Sequence, residues 1–402
     1  MHIVYICREF PPSLRGGGIA SYLREISIGM RHAGHRVTVV CASDDTRRES
    51  DTTDEYGVRV IRLKGGDFLI PQVEGHHIVK KLRPLYRFWS YRKRIWECVK
   101  QLKDVDVIEV AEYGAEGLYL HKLKIPVVLR LHTPMLLDHL LVSKVSLSRS
   151  NLPYYYQGLK EIGEMRSAKY CTSCSTSLSE WGVRYAGMQS GVTKVIYNPV
   201  NATAIVDDSP KALKKGNGLN ILFAGTICDW KGCGDLAEAG YELEKRTPFT
   251  ISFIGKKGGY AEQLKKKYAD EAWFQLVGKI PREELQERFR EADVVVFPSW
   301  WENMPMVCIE AMLQGAIVIG SNNGGMSEII TDGVDGFLVK PHRPDLLAEK
   351  IEQVAKMTEE EKVRMSLAAQ QRIRKAFSTE VIVQQTLDYY RYVIEDYNNM
   401  NV

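Results

Sequence analysis

The sequence predicts an α/β protein made of two Rossmann-like, doubly wound parallel-sheet domains that face each other across a cleft. Short apolar runs alternate with longer segments of helical period through the first half of the chain, which is the pattern of βαβ units. A second series of the same kind begins near the middle. The length of 402 residues favours about two to three domains, and 45% apolar with 26% charged residues is typical of a folded globular protein.

Each half contains five predicted strands, and each strand is followed by a helical pattern. The first five are HIVYIC, RVTVVCA, DVIEV, PVVLRLH and KVIYN, and the second five are NILFAGT, FTISFIG, FQLVG, DVVVFPS and AIVIGS. The change of series near Asn198 and Pro199 predicts domains over 1–198 and 199–377. A last helix over 378–402 has apolar residues at helical spacing, and we expect it to pack back across the domain junction.

Composition and charge exclude several classes of protein. No stretch approaches the run of about 18 apolar residues that a membrane-spanning helix needs. The chain opens on a predicted strand and not on a secretory signal, so we expect a cytoplasmic protein. A net charge of +4 is too small to indicate nucleic acid as a partner. Of the eight irregularly spaced cysteines, Cys171 and Cys174 alone form a tight pair, and core thiols are favoured over a redox or zinc site.

Two features of the first half lie where ligands bind, after predicted strands. The first is a run of glycines that includes Gly17 and Gly18, at the start of a helix, where backbone could approach a phosphate or a sugar. The alternative is a merely flexible loop, and the missing G-x-G-x-x-G spacing argues against a nicotinamide dehydrogenase. The second is His132, which ends a strand and is predicted to face the cleft.

The second half has a candidate phosphate site in the segment ILFAGTICDWKGCGDL. Gly225 and Thr226 follow a strand, and Lys231 precedes the next helix. A lysine at a helix start adds its full positive charge to the partial charge of the helix N-terminus, and together they favour a diphosphate.

Two glutamates eight residues apart make the segment PSWWENMPMVCIEAM the richest in the chain. Glu302 lies in the loop after a strand, and Glu310 lies inside a helix that is apolar on nearly every side. A carboxylate in such a helix needs a partner, which the two hydroxyls of a ribose could supply. Glu302 could meet sugar hydroxyls. The alternative for both residues is a structural ion pair or a helix cap.

Taken together, these motifs resemble those of the retaining glycosyltransferases of family 4, which have the GT-B architecture. The resemblance spans nearly the whole chain, and it rests on GGGIASYL, LRLHTP, FAGTICDWKG, the E-x7-E spacing and NNGGMSEIITDGVDGFLV. It implies that Glu302 contacts the donor sugar, Glu310 the ribose and Lys231 the diphosphate. It also implies that His132 orients the reacting sugar.

The chain departs from the family pattern at two positions. Thr226 stands where many members have arginine, which leaves more of the phosphate charge to Lys231. Pro305 stands where many have glycine, and proline lacks a backbone N–H. The backbone donors of this loop are then Asn303, Met304, Met306 and Val307.

The resemblance implies transfer of a hexose from a nucleoside diphosphate sugar, as co-substrate, to a hydroxyl of a glycan, lipid-linked or small-molecule acceptor in polysaccharide biosynthesis. Because no Asp-x-Asp motif follows a strand, we expect neither a metal nor another cofactor. The acceptor is expected on the first domain, between Arg59 and Val145. Alternatives are a nucleotide-sugar epimerase or phosphorylase of the same fold, and a catalytically silent nucleotide-sugar-binding partner subunit.

The segment 76–104 combines basic and aromatic residues and predicts one of two surfaces. It could make peripheral contact with the anionic inner face of a membrane, because basic side chains attract anionic lipid and aromatic rings favour the interface. It could equally be a helix with aromatic residues packed on the sheet and a solvated basic face. Pro84 predicts a break within any helix here.

Overall fold

The computed structural model divides the chain into two compact units. One unit comprises Met1–Pro199 and Thr379–Val402, and the other comprises Val200–Ser378. The structure describes residues 1–14, 16–45, 48–65, 77–138, 148, 151–202 and 218–400, with the side chains of 77–85 and 153 excepted. Among the helices in these ranges, none has the length and apolar character needed to cross a membrane.

An eight-stranded sheet forms the centre of the first unit. Its strands are β1 (His2–Ile6), β2 (Arg36–Ala42), β3 (Ser50–Thr53), β4 (Arg59–Leu63), β5 (Val107–Ala111), β6 (Val127–Leu131), β7 (Tyr170–Ser173) and β8 (Thr193–Val195). Their order is β3-β4-β2-β1-β5-β6-β7-β8, and every pairing is parallel except that of β3 with β4. Chain order reverses at β1, which lies between β2 and β5. Ligands bind at such a switch point, at the carboxyl ends of the strands.

Helices connect these strands and bury one face each. They are α1 (Gly18–His32), α2 (His77–Gln101), the short α3 (Met135–Leu137), α4 (Leu152–Ser167) and α5 (Thr176–Trp181). Buried β-branched and aromatic residues of β1 and β2 pack against α1 in one core. The side chain of Ser175 accepts a hydrogen bond from the backbone N–H of Leu178, which fixes the start of α5.

The second unit has a six-stranded parallel sheet. Its strands are β9 (Leu219–Ala224), β10 (Phe249–Ile254), β11 (Phe274–Gly278), β12 (Val294–Phe297), β13 (Val318–Ser321) and β14 (Phe337–Val339), in the order β11-β10-β9-β12-β13-β14. Its helices are α6 (Cys233–Glu244), α7 (Gly259–Lys267), α8 (Arg282–Glu291), α9 (Met306–Leu313), α10 (Met326–Ile329), α11 (Pro344–Lys356) and α12 (Glu359–Phe377). The switch point lies between β9 and β12. A capping box of Thr358 and Glu361 begins α12.

Four strands were absent from the sequence prediction. The β3–β4 hairpin and β7 belong to the first unit, and β14 ends the second sheet. All four residues of β3 are exposed, so β3 lacks the apolar run that marks a buried strand. The β7 residues Tyr170–Ser173 are fully buried but mostly polar. In this region Cys171 and Cys174 are both buried, as expected for core residues.

The helix α2 buries some of its aromatic and basic residues and exposes others. It continues through Pro84 as one helix of 25 residues, so the predicted break is wrong, and the single backbone N–H that proline lacks is tolerated. Phe88 and Tyr91 are buried, whereas 47% of Trp89 is exposed. Arg92, expected on the solvated face, is buried and donates to the carbonyl of Gly114. Residue 76 and the side chains of 77–85 lie outside the described residues.

The C-terminal helix α13 (Thr379–Met400) belongs to the first unit and packs against α1. Its Tyr390 hydroxyl donates to Glu109 at 2.8 Å, and the Tyr22 hydroxyl of α1 donates to the same carboxylate at 2.7 Å. Glu109 lies on β5 and is buried beside Arg130. Burial raises the pKa of Glu109, and the arginine and the two hydroxyls oppose that shift. One buried carboxylate thus joins α1, α13 and the sheet.

We predict that two glycine-to-alanine changes in helices of the first unit have opposite effects on stability. A Cβ at Gly29 would lie 2.6 Å from methyl carbons of both Thr379 and Val383, so G29A should destabilise the unit by about 1–3 kcal/mol. A Cβ at Gly163 in α4 meets nothing within 4 Å, so G163A should stabilise it by about 0.5–1 kcal/mol. Urea unfolding followed by circular dichroism measures both effects. A G29A protein as stable as wild type would refute the close packing of α1 on α13.

Candidate active site

The loop after β9 is held by two glycines that allow backbones to cross closely. Gly225 has φ of 151° and donates its N–H to the carbonyl of Ile254 at 2.9 Å. A Cβ at Gly255 would lie only 1.7 Å from the Gly225 carbonyl oxygen. Thr226 follows and is exposed. The predicted glycine turn is therefore present, and the side chain at position 226 points away from the core.

Lys231 lies at the end of this loop, beside the loop that follows β12. The next residue, Gly232, has φ of 70° and is the N-cap of α6. A Cβ there would come within 2.1 Å of the Pro298 carbonyl oxygen, so only glycine allows this approach. The Lys231 ammonium lies 4.2 Å from the centre of the Trp230 ring and forms an ion pair with Glu302. Two residues that the sequence places 71 positions apart are thus in contact.

Glu302 accepts hydrogen bonds through both its side chain and its backbone carbonyl. The Ser299 hydroxyl donates to its Oε1 at 2.9 Å, and the N–H of Gly325 donates to its backbone carbonyl at 2.7 Å. Gly324 has φ of 63°, and a Cβ there would lie 2.2 Å from the same carbonyl oxygen. The side chains of Glu302 and Lys231 are only 13% and 18% exposed. Their ion pair is consequently much less screened by water than a surface pair.

The helix α9 starts immediately after this loop, with Pro305 as its N-cap. Met306 and Val307 are its first two residues, whose N–H groups have no acceptor within the helix. Cys308 and Ile309 donate to the Pro305 carbonyl. Pro305, at the N-cap, therefore lacks a backbone N–H donor, and the donors of the helix begin at the next residue.

The two residues before Pro305 are both buried. Asn303 accepts a hydrogen bond from the Trp301 indole N–H at 2.7 Å, and Met304 packs in the interior. The neighbouring Trp300 donates its indole N–H to Asp235, and its ring lies 4.5 Å from that of His342. Both tryptophans are half-buried.

Glu310 is the fifth residue of α9 and has a partner. Arg282, the first residue of α8, donates to its Oε1 at 2.7 Å. The carboxylate is 12% exposed and the guanidinium 45% exposed. Glu310 thus forms an ion pair, which the sequence left open as the alternative to a ribose. Sequence analysis did not identify Arg282 or Ser299, although Ser299 stands only three residues before Glu302.

In the first unit, the glycine run precedes α1, and Gly17 is its N-cap without a side-chain hydrogen bond. Gly17 has φ of −168°, which is ordinary extended backbone, so no left-handed conformation requires glycine there. Gly18 is the first residue of the helix. A Cβ at Gly16 would meet nothing within 4 Å, so the packing of the protein does not require glycine at that position either.

His132 follows directly after β6 and is 5% exposed. Its ring lies edge-on to Tyr22 of α1, with the ring centres 4.9 Å apart. Burial, with the nearby Arg130 cation, lowers the pKa of His132 well below its usual value. The imidazole is therefore neutral near pH 7 and can donate one hydrogen bond and accept another.

The predicted residues form two groups, one in each unit. Lys231, Glu302 and the start of α9 lie together in the second unit, and Glu310 is bound to Arg282 further along α9. His132 and the helix that follows Gly17 lie in the first unit, joined through Tyr22. Within the described ranges, no three His, Cys, Asp or Glu residues are placed to hold a metal ion.

Comparisons with known proteins agree with this architecture. Residues 16–204 match the family described as glycosyltransferase family 4, and residues 193–372 match glycosyl transferases group 1. D-inositol 3-phosphate glycosyltransferase of Pseudarthrobacter chlorophenolicus is 27% identical over 360 residues, which are 83% of this chain and 81% of that protein. Glycogen synthase of Mycobacterium tuberculosis is 24% identical over 411 residues, covering 97% and 94% of the two chains.

Solved structures show the same fold. Sucrose-phosphate synthase from Thermosynechococcus elongatus superposes with a TM-score of 0.80 at 20% identity, covering 98% of this chain and 99% of that one. Anabaena HepE, solved in complex with UDP and glucose, has a TM-score of 0.70 at 19% identity, covering 96% and 98%. The two adjoining family matches span residues 16–372, and the chain is a glycosyltransferase of the family 4 type with the GT-B fold.

Proposed function

We propose that the protein transfers a hexose from a nucleoside diphosphate sugar to an acceptor hydroxyl, with retention of configuration and without a metal ion. The observation that carries this proposal is the contact of Lys231 and Ser299 with Glu302 just before α9. An ammonium beside helix N-termini stabilises a diphosphate, and a fixed carboxylate accepts hydrogen bonds from sugar hydroxyls. Both ends of such a donor find complementary groups in one small region.

Binding of the donor replaces the hydrogen-bonding partners of Lys231 and Glu302. In the structure, Lys231 and Glu302 form an ion pair. When a diphosphate arrives, the ammonium turns to the phosphate oxygens, and the carboxylate becomes available to the hydroxyls of the hexose. Neither charge is left without a partner at any stage, which avoids the cost of an isolated buried charge. The complexes of Anabaena HepE with UDP and with UDP-glucose support a nucleoside diphosphate hexose as the donor class.

The reaction places charge on the departing diphosphate, and Lys231 stabilises that charge in the transition state. The acceptor hydroxyl attacks the anomeric carbon on the face that the leaving group vacates. His132, being neutral, orients the reacting sugar by hydrogen bonding and does not serve as an obligatory base. Acceptors are glycans, lipid-linked sugars or small molecules, bound on the first unit between Arg59 and Val145. Residues 66–76 and 139–145 of that interval lie outside the described residues.

Replacement of Glu310 should weaken binding of the donor nucleotide. Losing a charged hydrogen bond to ribose costs about 1.5–3 kcal/mol, or about 10- to 150-fold in Kd. A thermal-shift screen with UDP, GDP and ADP selects the nucleotide, because a ligand that binds only the folded state raises the melting temperature. Titration calorimetry then compares wild type with E310A.

The matched control is E238A, which removes another helical glutamate from an ion pair, that with Lys267 on the surface of the second unit. It should bind the nucleotide like wild type. A folded E310A protein with wild-type affinity would remove Glu310 from the donor site.

Replacement of Lys231 should reduce turnover more than it reduces stability. K231A removes the cation that faces the leaving diphosphate, so kcat should fall by about 100-fold or more. K245A, at the other end of α6, is the control. The assay follows nucleoside diphosphate release from the donor with acceptor present, and it should be insensitive to EDTA.

Three results would contradict this reading. Loss of turnover in EDTA with recovery on adding a divalent ion would overturn the metal-free mechanism. Conversion of the donor sugar without any acceptor would indicate an epimerase. Tight donor binding without turnover under any acceptor would indicate a silent partner subunit.

The first unit is also proposed to contact anionic lipid at the inner membrane face. The helices α2 and α4 pack on each other and expose Trp89 at 47% and Tyr156 at 47%. Lys93 lies 5.8 Å from the ring centre of Trp89, and Lys160 lies 5.3 Å from that of Tyr156. Aromatic rings paired with cations suit the boundary between headgroups and acyl chains.

Sedimentation with vesicles tests this contact. The wild-type protein should bind anionic vesicles and not neutral ones, with binding that weakens as salt is added. The double variant K93E/K160E should lose binding, whereas K265E/K266E, with the same change in net charge on α7, should keep it. Arg92 is excluded from the test because it is buried and bonded to Gly114. If both double variants sediment equally, the lipid contact is contradicted and the basic face of α2 is simply solvated.

A further inference from the structure

The first unit buries an unusual excess of carboxylates around the loops that follow β5 and β6. Four glutamates and two arginines are each at most 9% exposed: Arg8, Arg92, Glu112, Glu116, Glu161 and Glu164. Arg8 donates to Glu116 at 2.8 Å, and Arg92 donates to Gly114 and Gln157. Burying a charge is costly unless it is paired. Two more buried acids than bases therefore call for a reason other than stability.

Two of these glutamates bind the backbone around His132. The N–H groups of His132 and Thr133 both donate to Oε1 of Glu112, at 2.9 and 2.5 Å. The N–H of Met135 donates to Oε2 of Glu161 at 2.7 Å. Residue 134 is proline and has no N–H. Every backbone N–H from His132 to Met135 thus donates a hydrogen bond to a buried carboxylate.

Glu161 also holds the neighbouring loop. Its Oε1 accepts the N–H of Gly114 at 2.5 Å, and Arg92 donates to the carbonyl of that same residue. Gly114 has φ of 78°, and a Cβ there would lie 1.8 Å from a guanidinium nitrogen of Arg8. One side chain from the middle of α4 therefore bridges the loop after β5 and the loop after β6.

We propose that Glu112 and Glu161 are positioning residues, which fix the segment 132–135 so that His132 meets the reacting sugar. This inference rests on the proposed function of His132. The ring of His132 is held on its other side by Tyr22, whose hydroxyl donates to Glu109. Backbone and ring are then fixed independently, and a displacement of about 1 Å in such a group lowers turnover by about 100-fold.

Glu112 accepts hydrogen bonds on one carboxylate oxygen, whereas Glu161 accepts them on both. Substitution by glutamine should therefore affect the two residues differently. Glu112 receives both N–H groups on Oε1, and its Oε2 has no hydrogen-bond partner among the described residues. Glutamine keeps one carbonyl oxygen, so E112Q can preserve both bonds. Glu161 uses both oxygens, one for each loop. E161Q must therefore place an NH₂ group against a backbone N–H and break one of the two bonds.

Charge at this cluster is sensitive to pH. Burial raises the pKa of Glu161 to about 8, with the Glu112 charge adding to the shift and the N–H groups of Gly114 and Met135 and the Arg8 cation opposing it. Burial raises the pKa of Glu112 to about 7. Glu116, Glu164 and Arg92 are the other charged groups of the described cluster. Protonation of Glu161 turns one acceptor oxygen into a hydroxyl, so both of its bonds form fully only in the ionised state.

Kinetics of four variants test the proposal, with nucleoside diphosphate release from UDP-glucose, GDP-mannose or ADP-glucose as the assay. Above about pH 8, where Glu161 is ionised, E161Q should lower kcat by about 10- to 100-fold with the KM for the donor changed less than about twofold. E112A should be similarly impaired, and E112Q should recover most of that loss. The H132A variant gives the loss of kcat that follows when the His132 side chain itself is removed. Wild-type kcat in E161Q beside an impaired H132A would overturn the positioning role.

A measurement without substrate separates this inference from the proposed function. The protein has nine histidines, and spectra of protein with ¹³C-labelled histidine, assigned with H132A, report the environment of His132. E161Q should shift the His132 resonance and E112Q should shift it much less. An unshifted resonance in E161Q overturns the positioning role even if glycosyl transfer is confirmed. A shifted resonance in a protein without transferase activity overturns the proposed function alone.

The pH profile supplies a readout that a purely structural role would not produce. Between about pH 4.5 and 8 the native protein keeps a proton on Glu161 that the unfolded chain has lost, so stability falls as pH rises through this window. Positioning requires the ionised form, so wild-type kcat should instead rise towards pH 8. E161Q should lose that rise. A kcat that falls together with the melting temperature, or a rise retained in E161Q, would count against the proposal.

Discussion

The parallel pairing of strands is the constraint on which the rest of this protein depends. Parallel strands end at one edge of a sheet, so each loop that follows a strand reaches the same side. In the first unit that edge gathers the ends of β5 and β6, and with them Glu112 and His132. In the second unit it gathers the ends of β9 and β12, and with them Lys231 and Glu302. Residues far apart in sequence become neighbours because the topology allows no other arrangement.

Close backbone contacts at glycines bring together loops that the parallel topology places at one edge of the sheet. Gly232 lets the loop after β9 approach Pro298, and Gly324 lets the loop after β13 approach Glu302, in each case at a distance that a Cβ would prevent. These contacts bring Lys231 and Glu302 into one ion pair of low exposure. The charges of these two residues are therefore satisfied within the protein. Under the proposed function, a diphosphate and the hydroxyls of a hexose replace these two partners.

The sequence predicted ten of the fourteen strands that the structure describes, and it placed Lys231 and Glu302 in loops after strands, for physical reasons that also explain the failures. Buried strands such as β1 and β9 carry short continuous apolar runs, which mark them in the sequence. The strand β3 is exposed and polar and therefore carries no such signal. Glu302 and Lys231 were found because they follow strands, at positions that topology favours. The partner of Glu310 was not found, because its contact with Arg282 is set by how α8 packs on α9, which no local pattern encodes.

The least expected feature, the burial of Glu161, nevertheless has a trace in the sequence of α4. Gln157, Glu161 and Glu164 are spaced by four and three residues, so they share one face of the helix. That face is buried, while Leu152, Tyr156 and Leu159 on the same helix are exposed. The helix also buries Tyr155, Ile162 and Met165, so its buried surface joins acidic and apolar side chains. Hydrophobic burial accounts for the apolar residues but not for Glu161, whose partners are the backbone N–H groups of the two loops beside His132.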